Sequence, residues 1–215
     1  REAGRLRLPV TFRAAGTSLS GQAISDSILV RLGPGWNRYR VFDGAAKIQL
    51  QPGIIGGHAN RILAEFDRKI GPDPASIDSA KIGGILANNA SGMCCGVEQN
   101  SYRTLDAMRI ILADGTIVDT GDDKSRAACK RSHPGLINGL AALRDRVRAD
   151  AELSERIRYK FKIKNTTGYS LNALVDFDDP FDIMQHLMIG SEGTLGFIAD
   201  VVYRTVIEHR HKASA

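Results

Sequence analysis

The chain has 215 residues, 43% of them hydrophobic and 25% charged, with a formal net charge of +5. That is enough apolar mass for one large domain or two subdomains around a shared cleft, and no apolar run approaches the roughly 20 residues that cross a bilayer. Only 6% of residues are aromatic and the basic ones are scattered, apart from a local excess at Arg156 to Lys164. This argues against a nucleic-acid partner and for solvated faces or an attraction for anionic ligands.

In chain order, Arg1 to Arg5 reads as the last turn of a helix with Gly4 as its C-cap. On that reading a strand and a helix precede it, and the chain is a fragment. Leu6 to Phe12 alternates apolar residues with period two and predicts a strand. It opens into Arg13-Ala14-Ala15-Gly16-Thr17-Ser18-Leu19-Ser20-Gly21-Gln22, a turn with little side-chain bulk. Converging backbone N–H dipoles and hydroxyls suit such a loop to wrapping an anion, and Gly16 and Gly21 let the main chain approach it closely. The same composition also fits an ordinary polar turn.

Ser27 to Leu32 predicts a second strand, ended by Gly33-Pro34-Gly35. Arg38 to Phe42 and Lys47 to Gln51 predict two more, joined at Asp43-Gly44, a hairpin signal. Helical periodicity covers Gly57 to Lys69, with Ile62, Leu63 and Phe66 on one face. Leu105 to Ala113 and Thr116 to Asp119 predict a second hairpin around Asp114-Gly115. A helix is expected from Pro134 to Ala149, its buried stripe Leu136, Ile137, Leu140, Leu143 and Val147, with Arg144, Arg146 and Arg148 solvated. A short helix at Pro180 to Leu187 and a strand from Thr194 to Val206 complete the pattern, before a polar tail over 207–215 in which His209 and His211 are more simply a frayed end than a metal site. Strands in hairpins interleaved with helices give an α+β fold of two lobes.

Cys94, Cys95 and Cys129 have neither the count nor the spacing of a disulfide framework or a metal site. They fit packed, unmodified thiols in a reducing, cytoplasmic setting.

Two further stretches carry chemistry. Gly71-Pro72-Asp73-Pro74-Ala75-Ser76 leads to Ile82-Gly83-Gly84-Ile85-Leu86-Ala87-Asn88-Asn89-Ala90-Ser91-Gly92. Its glycines permit close approach, and its neutral amides and hydroxyls suit a heterocycle edge or sugar hydroxyls; a glycine-rich helix start with Asx caps is the plainer alternative. Ile189-Gly190-Ser191-Glu192-Gly193-Thr194-Leu195-Gly196-Phe197-Ile198 sets one carboxylate among three glycines. A carboxylate is repelled by phosphate, so Glu192 belongs on a ribose or in a structural network.

With the loop at 13–22, these stretches resemble, in the same order, the FAD-linked oxidase family of vanillyl-alcohol-oxidase, PCMH-type fold. Within it they resemble the D-lactate and D-2-hydroxyglutarate dehydrogenase branch, and the resemblance spans about Thr11 to Tyr203. It implies a PCMH-type FAD-binding domain over 1–215, with subdomains at about 1–70 and 71–206 and the FAD between them. It implies FAD ligands at Arg13, Ala15, Gly16, Thr17, Ser18, Leu19, Ser20 and Gly21; at Pro72, Asp73, Ser76, Gly83, Gly84, Asn88, Ser91 and Gly92; and at Glu192, Gly193, Gly196 and Ile198. Relatives that bind flavin covalently commonly carry a histidine in the loop where this chain has Thr17, so non-covalent FAD is expected. The loop lacks the Rossmann glycine spacing and the P-loop lysine.

Lys162 to Asn172 resembles the branch's Lys-x-Thr-Gly-Tyr segment on the substrate side, with Ser170 where Asp is common. Lys164 is the candidate for attracting a substrate carboxylate or steadying a reduced flavin, against a plain solvated lysine. The Met93-Cys94-Cys95-Gly96 run resembles the branch whose full-length members add an iron–sulfur domain. The resemblance implies oxidation of a small 2-hydroxy acid by hydride transfer to FAD, with the catalytic base, typically a histidine, in a cap domain outside this region. None of His58, His133 or His186 matches that motif. Peripheral contact with membrane electron acceptors is compatible with it. Another oxidase on the same fold, acting on sugar alcohols, aryl compounds or glycolate, and a non-catalytic flavin-binding module are the alternatives.

Overall fold

The structure is a computed structural model that describes residues 1–209. A single turn, α1 (Glu2–Arg5), leads to β1 (Val10–Arg13), which pairs in parallel with β2 (Ile28–Arg31) as a separate two-stranded sheet. The strand expected from Leu6 begins only at Val10: Arg7 takes φ +54°, and Pro9 has no N–H to give a ladder. After a 3₁₀ turn at Pro34–Trp36 come β3 (Tyr39–Phe42) and β4 (Lys47–Leu50), an antiparallel pair turning through Asp43 and Gly44, both at positive φ.

The helix α2 (Gly56–Ala64) is shorter than its periodicity predicts. Asp67 takes φ +53°, and Arg68–Lys69 form β5 instead; Phe66, expected on the buried face, is 49% exposed. Next are α3 (Ile82–Asn88), α4 (Ser101–Thr104), β6 (Leu105–Ile111) and β7 (Ile117–Asp119). Five helices follow: α5 (Asp123–Ser132), α6 (Pro134–Ala149), α7 (Ala151–Lys160), α8 (Ala173–Asp176) and α9 (Pro180–Met188). The chain returns through β8 (Phe197–Arg204) and β9 (Val206–Ile207), the latter pairing with β5, so that Ile207, expected to open the polar tail, is still strand. His211 lies outside the described residues.

The main sheet is antiparallel, in the order β3-β4-β8-β6-β7. It takes β3 and β4 from before residue 70 and the other three strands from after it, so a division at residue 70 cuts across it. Ile48, Leu50, Met108, Ile110, Val201 and Tyr203 of this sheet are almost wholly buried in one cluster with Phe181 and Ile183 of α9 and Ile137 and Val147 of α6. Burying a side chain of this size contributes about 1.5–3 kcal/mol.

α5 and α7 escape a periodicity reading because each is mostly charged, and α5 buries only Cys129. They are marked instead by their caps: Asp122 accepts from Ser125 N, and Asp150 from Leu153 N. Arg148 is not solvated as expected. It donates to the carbonyls of Leu174 (3.0 Å), Val175 (3.3 Å) and Phe177 (2.7 Å), and so satisfies the open end of α8. Arg144 likewise donates to Asp178 O. All three cysteines are free; Cys95 and Cys129 are buried, Cys94 exposed. No helix among the described residues is long and apolar enough to cross a membrane.

Candidate functional site

A cleft opens between the β1–β2 pair and the main sheet, and the three segments singled out in the sequence converge on it. One wall is the turn after β1, contributing Ala14 to Ser18; the floor is α3 with Gly83, Gly84 and Asn88; the far wall is the 192–198 segment entering β8. Phe12 and Phe197 close it from below, their rings 4.7 Å apart.

The turn has the character its composition predicts. Gly16 sits at φ +75° and Gly21 at +78°. The N–H groups of Ala15 to Leu19 make no hydrogen bond among the described residues. The four on Ala15 to Ser18, residues that line the cleft, are consecutive unspent donors and form a cradle for an anion. An added Cβ at Gly16 would fall 2.6 Å from the Arg13 guanidinium, on top of the strained φ.

The floor is fixed by packing. A Cβ on Gly83 would lie 2.8 Å from Pro52, and one on Gly84 3.6 Å from the Ala14 side chain. Gly83 is therefore required by α3 seating on the Pro52 turn, whereas a Cβ at Gly84 would make only ordinary contact with Ala14, so packing alone does not call for that glycine. The far wall docks on the end of α3: Gly190 N donates to Leu86 O (3.0 Å), Glu192 N to Ala87 O (2.8 Å), and Asn88 Nδ2 to Glu192 Oε1 (2.6 Å). Glu192 is thus held in a structural network at the rim of the cleft.

Of the residues expected to hold a ligand, Ala15, Gly16, Thr17, Ser18, Ser76, Gly83, Gly84, Asn88, Glu192, Gly193, Gly196 and Ile198 line the cleft. Arg13 packs behind the loop, and Leu19, Ser20 and Gly21 point out to solvent at its tip. Pro72 is buried, and Asp73 Oδ1 accepts from Gly92 N (2.9 Å) and Cys95 N (3.2 Å), so these residues brace the segment after α3. A Cβ on Gly92 would come 2.1 Å from Asp73 O, which explains that glycine without a ligand. Burial pushes the neighbouring Cys95 thiol up and keeps it protonated. Ser91 is buried, and its carbonyl accepts from Lys164 Nζ, so Lys164 is tethered to the main chain. Ser170 is turned inward, its hydroxyl donating to Ile189 O at 2.7 Å.

Sequence reasoning missed Phe12, Leu32, Pro52, Lys81 and Phe197, all on the cleft. The aromatic pair carried no signal, because its members stand 185 positions apart. Lys81 had one: it is the only charge in the stretch from Ser79 to Gly96.

A family model described as FAD binding domain matches residues 1–121, more than half of the chain. The chain belongs to this FAD-binding family. A D-2-hydroxyglutarate dehydrogenase of Pantoea ananatis (strain AJ13355) is 27% identical over 203 residues, which cover 93% of this chain and 20% of that protein. A mitochondrial D-lactate dehydrogenase [cytochrome] 1 of Saccharomyces cerevisiae is 27% identical, covering 97% of this chain and 27% of that protein. The chain therefore spans about a fifth to a quarter of these relatives' length. A solved structure of alkyldihydroxyacetonephosphate synthase superposes with a TM-score of 0.57 at 16% identity, over 95% of this chain and 29% of that one. The fold is the α+β, PCMH-type arrangement, with FAD as the family's cofactor. The cleft fits that group: unspent loop amides for a diphosphate, and a floor without bulky side chains for an extended dinucleotide.

Proposed function

We propose that the chain is the FAD-binding part of a flavin-dependent dehydrogenase that oxidises a D-2-hydroxy acid, D-lactate or D-2-hydroxyglutarate, to the 2-oxo acid. The observation that carries this reading is the convergence on one cleft of the unspent amides of Ala15 to Ser18, the glycine face of α3 and the 192–198 wall. The substrate class is supported by the names of the relatives.

When bound, FAD supplies the hydride acceptor. This chain's residues bind and orient it. The loop amides hold the diphosphate, Thr17 adds a hydroxyl, and Phe12 and Phe197 give the cleft an apolar base. Among the described residues no histidine lines the cleft, and Thr17 cannot form a histidyl–flavin bond, so on this reading the cofactor is held non-covalently. The one described carboxylate lining the cleft, Glu192, is held by Asn88 and the end of α3. On this reading the base and most carboxylate ligands belong to a cap domain of the longer protein. Lys164, tethered to the carbonyl of Ser91 next to the cleft-lining Ala90, would add positive potential for a substrate carboxylate. The Cys94-Cys95 run fits the branch that carries an iron–sulfur domain elsewhere.

The test is a visible spectrum of the chain after FAD is added and excess is removed. A flavin band that denaturation releases intact supports non-covalent binding; no band, here and in the longer protein, overturns it. Bleaching of the longer protein's flavin by D-lactate or D-2-hydroxyglutarate supports the substrate class. Bleaching only by an aryl or sugar alcohol replaces it.

A further inference from the structure

Among the described side chains that line the cleft, only Lys81 and Glu192 carry formal charge at neutral pH. Glu192 is engaged by Asn88 at the far wall. Lys81, immediately before α3, reaches across to the β1–β2 pair, and its Nζ donates to Leu32 O at 3.0 Å. Leu32 N in turn donates to Arg13 O at 3.0 Å. The ammonium therefore stands beside the peptide that anchors the start of the loop. The first turn of α3 faces the same point, where Gly84 approaches the Ala14 side chain.

A diphosphate in this cleft brings two negative charges, and a partly enclosed site must compensate them. The usual device is the positive end of a helix. Here it is spent: Ile82 N donates to Ile54 O (2.8 Å), Gly83 N to Pro52 O (3.0 Å) and Gly84 N to Lys81 O (2.9 Å). The loop amides offer dipoles but no net charge. An ammonium has three N–H donors, and Lys81 commits one of them to Leu32. Arg13 is the nearest rival cation, but it does not line the cleft.

We infer that Lys81 is a cofactor-binding residue that neutralises the FAD diphosphate, and that its bond to Leu32 holds the β1–β2 pair in position for the loop to close on it. The inference rests on the FAD reading above.

Three variants separate charge from clasp. Lys81→Gln keeps a donor for Leu32 O and removes the charge; Lys81→Met removes both; Lys81→Arg keeps both. FAD dissociation constants are measured for each by quenching of flavin fluorescence at low and high salt, with Arg13→Met as the comparison and melting curves to confirm folding. A charge-assisted contact predicts that Lys81→Gln and Lys81→Met weaken FAD about ten- to a hundredfold. It also predicts that both flatten the salt dependence, while Lys81→Arg stays near wild type. Equal weakening by Lys81→Gln and Lys81→Arg, or a salt dependence unchanged in Lys81→Gln, overturns the charge role. Wild-type affinity in Lys81→Met overturns the inference alone. A wild-type chain and longer protein that hold no FAD sink the reading beneath it as well.

Discussion

β1 and β4 are each four residues long with apolar side chains at alternate positions, yet Ile48 and Leu50 of β4 are fully buried while Val10 and Phe12 of β1 are each 37% exposed. The difference lies in neighbours. β4 sits between β3 and β8 in a five-stranded sheet backed by helices, whereas β1 has only β2. A parallel pair wants cover on both faces, and two strands alone are marginal in water. The β1–β2 pair is held by few contacts: the Phe12–Phe197 rings, the buried Leu32 and the Lys81 clasp. The cleft therefore has one wall that folds with the core and one whose position a ligand helps to set, so binding and local folding are coupled on that side.

Truncating the core side should give the largest effect and leave the site's chemistry alone. Phe181 of α9 is fully buried, with Arg126 4.9 Å above its ring, and Arg126 is paired at 2.7 Å with Asp179, the cap of that helix. Phe181→Ala is expected to cost about 3–5 kcal/mol and to lower the melting midpoint on the order of 10 °C. The FAD affinity of the molecules that remain folded should hold. A melting curve with a parallel FAD titration checks both, and a small thermal shift with lost affinity would reverse the contrast between the walls.

The thin side should behave in the opposite way. Gly16→Val places a β-branched residue at φ +75° with its Cβ against Arg13, and strain of this kind costs about 1–3 kcal/mol locally. Because the loop is poorly coupled to the core, the main melting transition should stay near wild type. FAD binding should fall by about a hundredfold or more as the cradle of amides is distorted. Tight FAD retention in this variant breaks the assignment of the loop.

The same contrast governs what could be read from sequence. The loop, the glycines of α3 and the 190–198 turn were legible because anion cradles and close approaches demand particular small residues at fixed spacing, and the hairpins at Asp43-Gly44 and Asp114-Gly115 were legible for the same reason. What escaped depends on partners far along the chain. β5 exists because β9 pairs with it 138 residues later. Gly92 answers to Asp73 rather than to a ligand. Arg148 looks solvated until α8 is packed beneath it. Charged helices such as α5 and α7 show no apolar stripe, because they bury one or two residues each. Three of the expected ligand positions, Leu19, Ser20 and Gly21, lie past the point where the loop leaves the cleft.

The smallest effect concerns pH and separates the two walls without touching either. His186 of α9 is buried, stacked on Phe177 (4.0 Å) and edge-on to Tyr102 (4.7 Å), with Nδ1 donating to Asp182 O at 2.7 Å. Burial pulls its imidazole down to about 4, from the ordinary 6.5. As pH falls through 6.5 the unfolded chain takes up a proton that the native chain refuses. Stability is therefore lost as pH falls from 6.5 to about 4, at roughly 1.4 kcal/mol per pH unit, and outside that window this group adds nothing to the slope. His186→Phe keeps the ring stack and removes the titration. The difference between wild-type and variant unfolding free energies should be flat above pH 6.5 and should shift in the variant's favour by about 1 kcal/mol near pH 5.5. Asp182, which burial pushes up, and Asp114, held at about 2 by Thr116 N and His133, titrate in both proteins and cancel in that difference. FAD affinity over the same range should follow the groups lining the cleft, and so should not change with the substitution. A parallel slope in the two unfolding curves would mean that the core admits the proton, and with it water, far more readily than its packing implies.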